Sequence, residues 1–171
     1  MLSEADAIAR LCTACGLCCN GVLFADVELQ AEDDASALEK LGLPVKRLKT
    51  KTKMPQPCAA LNGCLCRNYA QRPSRCRTFE CLQLLKVKSG ETAPDNALMH
   101  IRKARQLAER AEHFLKELGH NRRGLSLSQR YRRCVRDAEN GGWTTEQLET
   151  LAELQMIVHK LTAMLQREFY P

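Results

Sequence analysis

Nine of the ten cysteines in this chain of 171 residues lie between Cys12 and Cys81, and only Cys134 stands outside that segment. In a reducing compartment, cysteines at this density are more typical of metal ligands or redox groups than of disulfides. A single free cysteine is usually a small buried hydrophobic residue, which is what we expect of Cys134. The other thiols are expected to bind metal, because so many thiolates could not be buried together without cations.

The first four cysteines form the pattern Cys12-x-x-Cys15-Gly16-x-Cys18-Cys19. Cys12 and Cys15 are three residues apart, so both can reach one tetrahedral metal across a tight turn. Cys18 and Cys19 are adjacent, and on a helical turn their side chains diverge by about 100°. One metal is hard to coordinate with both, so the pair indicates either two metals or one thiolate that bridges two ions.

A second group of cysteines brings the number of candidate ligands to nine. Nine thiolates can hold three divalent ions if some sulfurs bridge, whereas eight can serve two tetrahedral sites, or a cubane and a separate metal. The sequence therefore predicts more than one metal ion, with zinc as the first choice and iron or an iron–sulfur cluster as the alternative. The second group consists of Cys58, Cys64, Cys66, Cys76 and Cys81.

The order of these residues resembles the YkgJ-type cysteine-cluster family, whose CxxCxxCC domains are described as zinc- or iron-chelating. The resemblance runs from Cys12 to Cys81, with CTACGLCCNG at the front and CRNYAQRPSRCRTFEC at the back. It implies metal chelation by eight of the cysteines. Cys64 falls between the family's usual positions, and we expect it to be a ninth ligand. The ligands that the resemblance implies are Cys12, Cys15, Cys18, Cys19, Cys58, Cys66, Cys76 and Cys81.

The elements that carry the cysteines are predicted to be short. One helix runs into the first cysteine group, with Ala5, Ile8 and Leu11 on its apolar side, and another covers about 34–42. A basic loop, KRLKTKTKMPQP, is predicted at 46–57. These segments hold too little apolar material to build a core unaided.

The C-terminal half has the apolar periodicity of long amphipathic helices. The first helix is predicted to open at Pro94-Asp95 and to close at Gly119. Capping boxes at Ser126 and Thr144 predict the starts of two more helices, the last of which is expected to bury Leu148. The predicted fold is therefore mainly α.

The predicted architecture has two parts: an irregular, metal-stabilised, cysteine-rich lobe over 1–90 and an antiparallel helical bundle over 91–171. The chain shows no apolar run of membrane-spanning length and no basic, apolar leader at its start. We therefore expect a cytoplasmic protein that does not enter a membrane.

The net charge of +6 is unevenly distributed, because residues 100–136 hold eleven Lys or Arg and three Glu. The arginines from Arg130 to Arg136 are expected to pair mostly with Glu146, Glu149 and Glu153 of the next helix. Nucleic acid is consequently the less favoured partner, and aromatic side chains are scarce in this stretch. Metal ions are the predicted partners, and the helical half leaves room for a protein partner.

The function predicted from the sequence is metal binding by a polynuclear zinc or iron cluster. One alternative is an oxidoreductase or electron carrier that uses iron–sulfur or thiolate-bound iron. A second is a zinc-stabilised nucleic-acid-binding module. No nucleotide loop or catalytic triad is visible, so the sequence leaves open whether the chain catalyses a reaction.

Overall fold

The computed structural model describes residues 4–171, except for the side chains of residues 4, 5, 7 and 8. The chain is mainly α, as the sequence predicts, with long helices in its C-terminal half. The predicted apolar positions Ala5 and Ile8 lie outside the described side chains. In chain order, the elements are α1 (Glu4–Cys15), β1 (Asp26–Glu28), α2 (Ala35–Lys40), β2 (Lys46–Arg47), β3 (Thr52–Pro55), β4 (Leu61–Asn62), β5 (Leu65–Cys66), a 3₁₀ turn (Tyr69–Gln71), α3 (Ser74–Thr78), α4 (Leu82–Lys88), α5 (Pro94–Glu117), α6 (Leu127–Glu139) and α7 (Thr145–Glu168).

The long helices begin where local chemistry predicts. Pro94 occupies the first turn of α5, where a missing N–H group costs nothing. Ser126 accepts a hydrogen bond from the backbone N–H of Gln129, whose side chain accepts one from the backbone of Ser126. The same reciprocal bonds join Thr144 and Gln147. Both predicted capping boxes are therefore confirmed.

The larger of two hydrophobic cores is built around α5 and α7. It also takes Leu11 from α1, Leu17 and Leu23 from the following loop, and Leu84 from α4. Side chains from both sides of residue 90 thus share one core. The division into 1–90 and 91–171 stays a prediction.

A small antiparallel sheet of order β1-β3-β2 lies within the cysteine-rich half. The sequence predicted only a loop at 46–57, which is wrong, because β2 and β3 form there. Lysines and threonines dominate this stretch, so its pairing carries almost no apolar signal, and Met54 is its one buried apolar side chain. A smaller second core packs on this sheet, and its buried members are Leu29, Leu38, Leu43, Met54 and Ala60.

The two ends of α7 differ in burial. Leu148, which was expected in the core, is 48% exposed near the start of the helix, so that prediction is wrong. The other end is tied down, because Phe169 accepts a hydrogen bond from the N–H of Leu82 at 3.0 Å. The hydroxyl of Tyr170 also donates to the Leu23 carbonyl at 2.6 Å. Among the described residues, no helix is both long and apolar enough to cross a bilayer.

Candidate metal centre

The first four thiols lie on α1 and the turn that follows it. Cys12 and Cys15 stand three residues apart, with Cys15 as the last residue of the helix. Gly16 then adopts a φ of 68°, a left-handed conformation that would strain an L side chain. The N–H groups of Cys19 and Asn20 both lie 3.0 Å from the Gly16 carbonyl oxygen. The chain therefore turns tightly and keeps the adjacent cysteine pair beside the end of the helix.

The later cysteines come from separate pieces of the chain. The N–H of Cys58 donates to the Cys19 carbonyl at 2.7 Å, which ties the two groups together through the backbone. Cys66 lies on β5, Cys76 on α3, and Cys81 immediately before α4. Tertiary structure, rather than sequence spacing, brings these positions to the first group.

A single cavity of about 830 Å³ is lined by all nine cysteines that the sequence singles out. Cys134 does not line it. That residue is fully buried in the larger core, as expected of a small hydrophobic side chain. The cavity-lining cysteines are Cys12, Cys15, Cys18, Cys19, Cys58, Cys64, Cys66, Cys76 and Cys81.

Four of these thiols, Cys12, Cys15, Cys18 and Cys81, form a neighbourhood that we call the helix tetrad. Burial raises the pKa of Cys12 to about 11 and that of Cys15 to about 12. Burial also raises the pKa of Cys18 well above its ordinary value. In each of the three, a charge on Cys81 would raise the pKa further, which places Cys81 beside the α1 thiols.

Four others, Cys19, Cys58, Cys66 and Cys76, form a second neighbourhood, the loop tetrad. Burial raises the pKa of Cys19 to about 12, and charges on the other three would raise it further. Burial and then the charge of Cys58 raise the pKa of Cys76 to about 11. Cys66 contributes to both of these shifts. The later cysteines other than Cys64 and Cys81 therefore gather around Cys19.

Cys18 and Cys19 are adjacent in the chain but belong to different tetrads. Their two neighbourhoods thus meet at one peptide bond. With raised pKa values, buried thiols such as Cys18 and Cys19 keep their protons at neutral pH when no metal is bound, so they can be buried together without charge. A metal ion would replace those protons, because the thiolate is the ligand form.

Cys64 lines the cavity, but its sulfur contacts an arginine. The Nη1 of Arg105, on α5, lies 3.1 Å from the Cys64 sulfur. The same nitrogen donates to the Ala14 carbonyl at 2.8 Å. Cys64 thus holds the β4–β5 hairpin to α5 and to the end of α1.

Arg72 lies between the two tetrads. Its guanidinium stacks on the Tyr69 ring at 3.6 Å and donates to the carbonyls of Tyr69 and Cys76. Its charge partly opposes the larger effect of burial on the pKa of Cys12, Cys19 and Cys76. One cation therefore acts on thiols of both tetrads, and it would partly balance the negative charge of metal–thiolate groups.

Gln56 is a cavity residue that the sequence reading missed. Its side chain is 1% exposed, and its Oε1 has no hydrogen-bond partner among the described residues. A buried acceptor left unpaired costs about 1–3 kcal/mol, so this oxygen marks a point in the cavity where a donor or cation would be stabilised. A glutamine held between Pro55 and Pro57, directly before Cys58, is the signal that could have found it.

The chemistry of the donor set fits soft metal ions, since thiolates select zinc and iron. Among the described residues, no three His, Cys, Asp or Glu side chains already stand in a group that could hold a metal ion. The thiols therefore line a shared cavity without coordination geometry, and their sulfurs would have to come closer together to reach Zn–S distances of about 2.3 Å. The ligand roles of the individual cysteines stay a prediction.

The cysteine-rich half matches the model of a known protein family. The model of the CxxCxxCC family, described as a zinc- or iron-chelating domain, matches residues 11–96, which is half of the chain. The matched range contains both tetrads and ends just inside α5. No curated protein and no solved structure matches the chain. The match supports metal binding in the cysteine-rich half.

Proposed function

We propose that this chain, which belongs to the CxxCxxCC family, binds at least two zinc or iron ions, one in each tetrad. The observation that supports the proposal is one cavity shared by eight of these thiols, in which Cys12, Cys15 and Cys81 act electrostatically on Cys18 while Cys58, Cys66 and Cys76 act on Cys19. Four thiolates are the ligand set of closed, tetrahedral structural sites. Adjacent Cys18 and Cys19, whose side chains diverge, supply one ligand to each site.

Zinc is the metal that this arrangement favours. Closed four-thiolate sites keep no open position for a substrate and are typical of structural zinc. The ions would then stabilise the cysteine-rich half, in which the second core has only five buried members among the described residues. An iron–sulfur or thiolate-bound iron centre, and hence an electron carrier, is the alternative outcome of the same measurements.

Cys64 is placed outside both tetrads in this proposal. Its sulfur contacts the Arg105 guanidinium on α5, and Cys64 lies outside the family's usual ligand positions. Arg72 provides the charge that two thiolate-bound ions need nearby, because four thiolates around a divalent ion remain net negative. Its donors are directed at backbone carbonyls, so it also fixes the loop that presents Cys76.

The test is elemental analysis of the full chain, purified anaerobically, together with its visible absorption. Two or more zinc ions per chain are expected in a colourless protein. Cys81→Ser, in the helix tetrad, and Cys76→Ser, in the loop tetrad, are each expected to lose one ion and keep the other. A wild-type ratio of one, or loss of every ion in both variants, contradicts separate four-thiolate sites. A coloured iron protein would favour the electron-carrier reading.

A further inference from the structure

The second half of the chain carries a dense group of arginines that the metal function does not use. From Arg122 to Arg136 there are six arginines, no lysine and no acidic residue. Two lie in the loop before α6 and four lie on that helix. They are Arg122, Arg123, Arg130, Arg132, Arg133 and Arg136.

Of these six arginines, only Arg130 forms an ion pair with another described residue. Its Nη2 lies 2.7 Å from Glu112 on α5, and its side chain is 12% exposed. The expected pairing with Glu146, Glu149 and Glu153 is wrong, because no described ion pair joins them to α6. The physical reason is packing: α6 packs against α5, so acids that follow closely in sequence are not its neighbours in space.

The other five arginines form what we call the arginine face: Arg122, Arg123, Arg132, Arg133 and Arg136. All five are exposed, and within residues 4–171 their side chains make no ion pair or hydrogen bond. On α6, Arg132 and Arg136 are one turn apart, about 6 Å along the helix axis. Several guanidinium groups are thus presented together to solvent.

The helix α6, which carries three of these arginines, is packed on the larger core. Leu127 and Cys134 are buried in the larger core, and Tyr131 and Val135 pack against it. The N–H of Leu127 also donates to the Gly21 carbonyl at 2.9 Å, which fixes the start of α6 to the cysteine-rich half. Because the apolar side of α6 is used internally, it is not free to insert into a membrane surface.

We propose that the arginine face binds the phosphodiester backbone of a nucleic acid. Guanidinium groups recognise phosphate through two parallel N–H donors, and the exclusive use of arginine over lysine favours this geometry. Phosphate contacts carry no information about the base sequence, so we expect electrostatic, salt-dependent binding with little sequence preference. This inference is independent of which metal the cysteines bind.

The test uses the full-length, metal-loaded protein and fluorescently labelled single-stranded RNA and duplex DNA, between about 50 and 200 mM salt. The variant R132Q/R133Q/R136Q is compared with K40Q/K46Q/K49Q, which removes the same charge from exposed lysines that have no ion pair with another described residue. The arginine variant is expected to bind at least tenfold more weakly. Its salt slope should fall by roughly 2–3, because each phosphate contact contributes about 0.7–0.9. The affinity of the lysine variant should stay within about twofold of wild type, and its salt slope should not change. The reason is that phosphate contacts, and not net charge, determine the salt dependence.

Three results would overturn the proposal. The first is no binding by wild type at the lower salt, and the second is equal weakening in both triple variants, which would indicate net charge alone. The third is tighter binding to polyglutamate or to anionic phospholipid vesicles than to either nucleic acid. Circular dichroism checks that each variant is folded. If the arginine triple variant is unfolded, the single variants Arg132→Gln and Arg136→Gln are tested in its place, and each must lower the salt slope.

Discussion

Cys64 lines the cavity and also contacts an arginine of another element. It lies on the short turn between β4 and β5, two residues before Cys66 of the loop tetrad. Arg105 reaches it from α5 and binds the Ala14 carbonyl with the same nitrogen. The contact therefore joins three elements, which are α5, the end of α1 and the turn between β4 and β5.

A pair of neighbouring substitutions separates these roles. Cys64→Ser is expected to leave the metal content of the chain unchanged, because serine can still accept a hydrogen bond from Arg105. Cys66→Ser removes a thiolate from the loop tetrad and is expected to lose one ion. Elemental analysis, with titration of free thiols after chelation, checks both. Loss of an ion in Cys64→Ser would make Cys64 the ninth ligand that the sequence analysis expected.

At the scale of elements, Gly21 is where the segment that follows Cys18 and Cys19 contacts the start of α6. Its φ is 82°, and a Cβ there would lie 3.1 Å from the Ser126 Cα and 3.2 Å from Pro57. Gly124 has a similar φ of 85°, but a Cβ at that position would meet nothing within 4 Å. The two glycines therefore share the same conformational requirement and differ only in crowding.

Gly21→Ala is consequently expected to destabilise the folded protein more than Gly124→Ala. Both changes carry the left-handed penalty of roughly 1–2 kcal/mol. Only the first adds overpacking, worth about 1–3 kcal/mol. Urea denaturation of the metal-loaded variants measures the difference in the free energy of unfolding. Equal losses would mean that α6 can move away from the segment that follows Cys18 and Cys19 at little cost.

The helices were predictable because their signals are local. Ser126 and Thr144 lie three residues before their glutamines, and Pro94 marks the start of α5. The strands at 46–57 were not, because pairing between β2 and β3 is set by tertiary contacts that lysines and threonines do not encode in a hydrophobic pattern. Leu148 fits the helical period but lies near the start of α7, where the core does not reach.

The cysteines that line the cavity were predictable from the sequence, but their arrangement was not. Density and spacing single out nine cysteines, and all nine line one cavity. Which thiols are neighbours depends on long-range folding: Cys81 joins the α1 thiols although it follows Cys76, which joins Cys19. Gln56 was missed because an amide between prolines has no metal-ligand signature of its own.

At the scale of the whole molecule, the two halves interlock. The larger core contains side chains of α1 and α4 as well as those of the long helices. The end of α7 closes this arrangement, since the Gln83 side chain donates to the Glu168 carbonyl at 2.8 Å. The smaller core stands apart on the sheet, among residues 29–60. We therefore expect the residues of each core to unfold together, so that the boundary between more and less stable regions follows the two cores and not the position along the chain.

Metal removal tests this division directly. Structural zinc contributes about 10–16 kcal/mol to small domains. That is at least comparable to the five buried side chains of the smaller core, at about 1.5–3 kcal/mol for each large one. Treatment of the full chain with a chelator at neutral pH is expected to open the sheet and loops, so that limited proteolysis cuts within 46–57 and 62–72. The helices α1, α4, α5 and α7 share the larger core, and they should stay protected and keep most of the helical circular dichroism. Mass spectrometry of the fragments locates the cuts, and the metal-loaded protein is the control. Cleavage in α1 and α4 as well would show that the whole of 1–90 depends on the metal, and an unchanged pattern would show that none of it does.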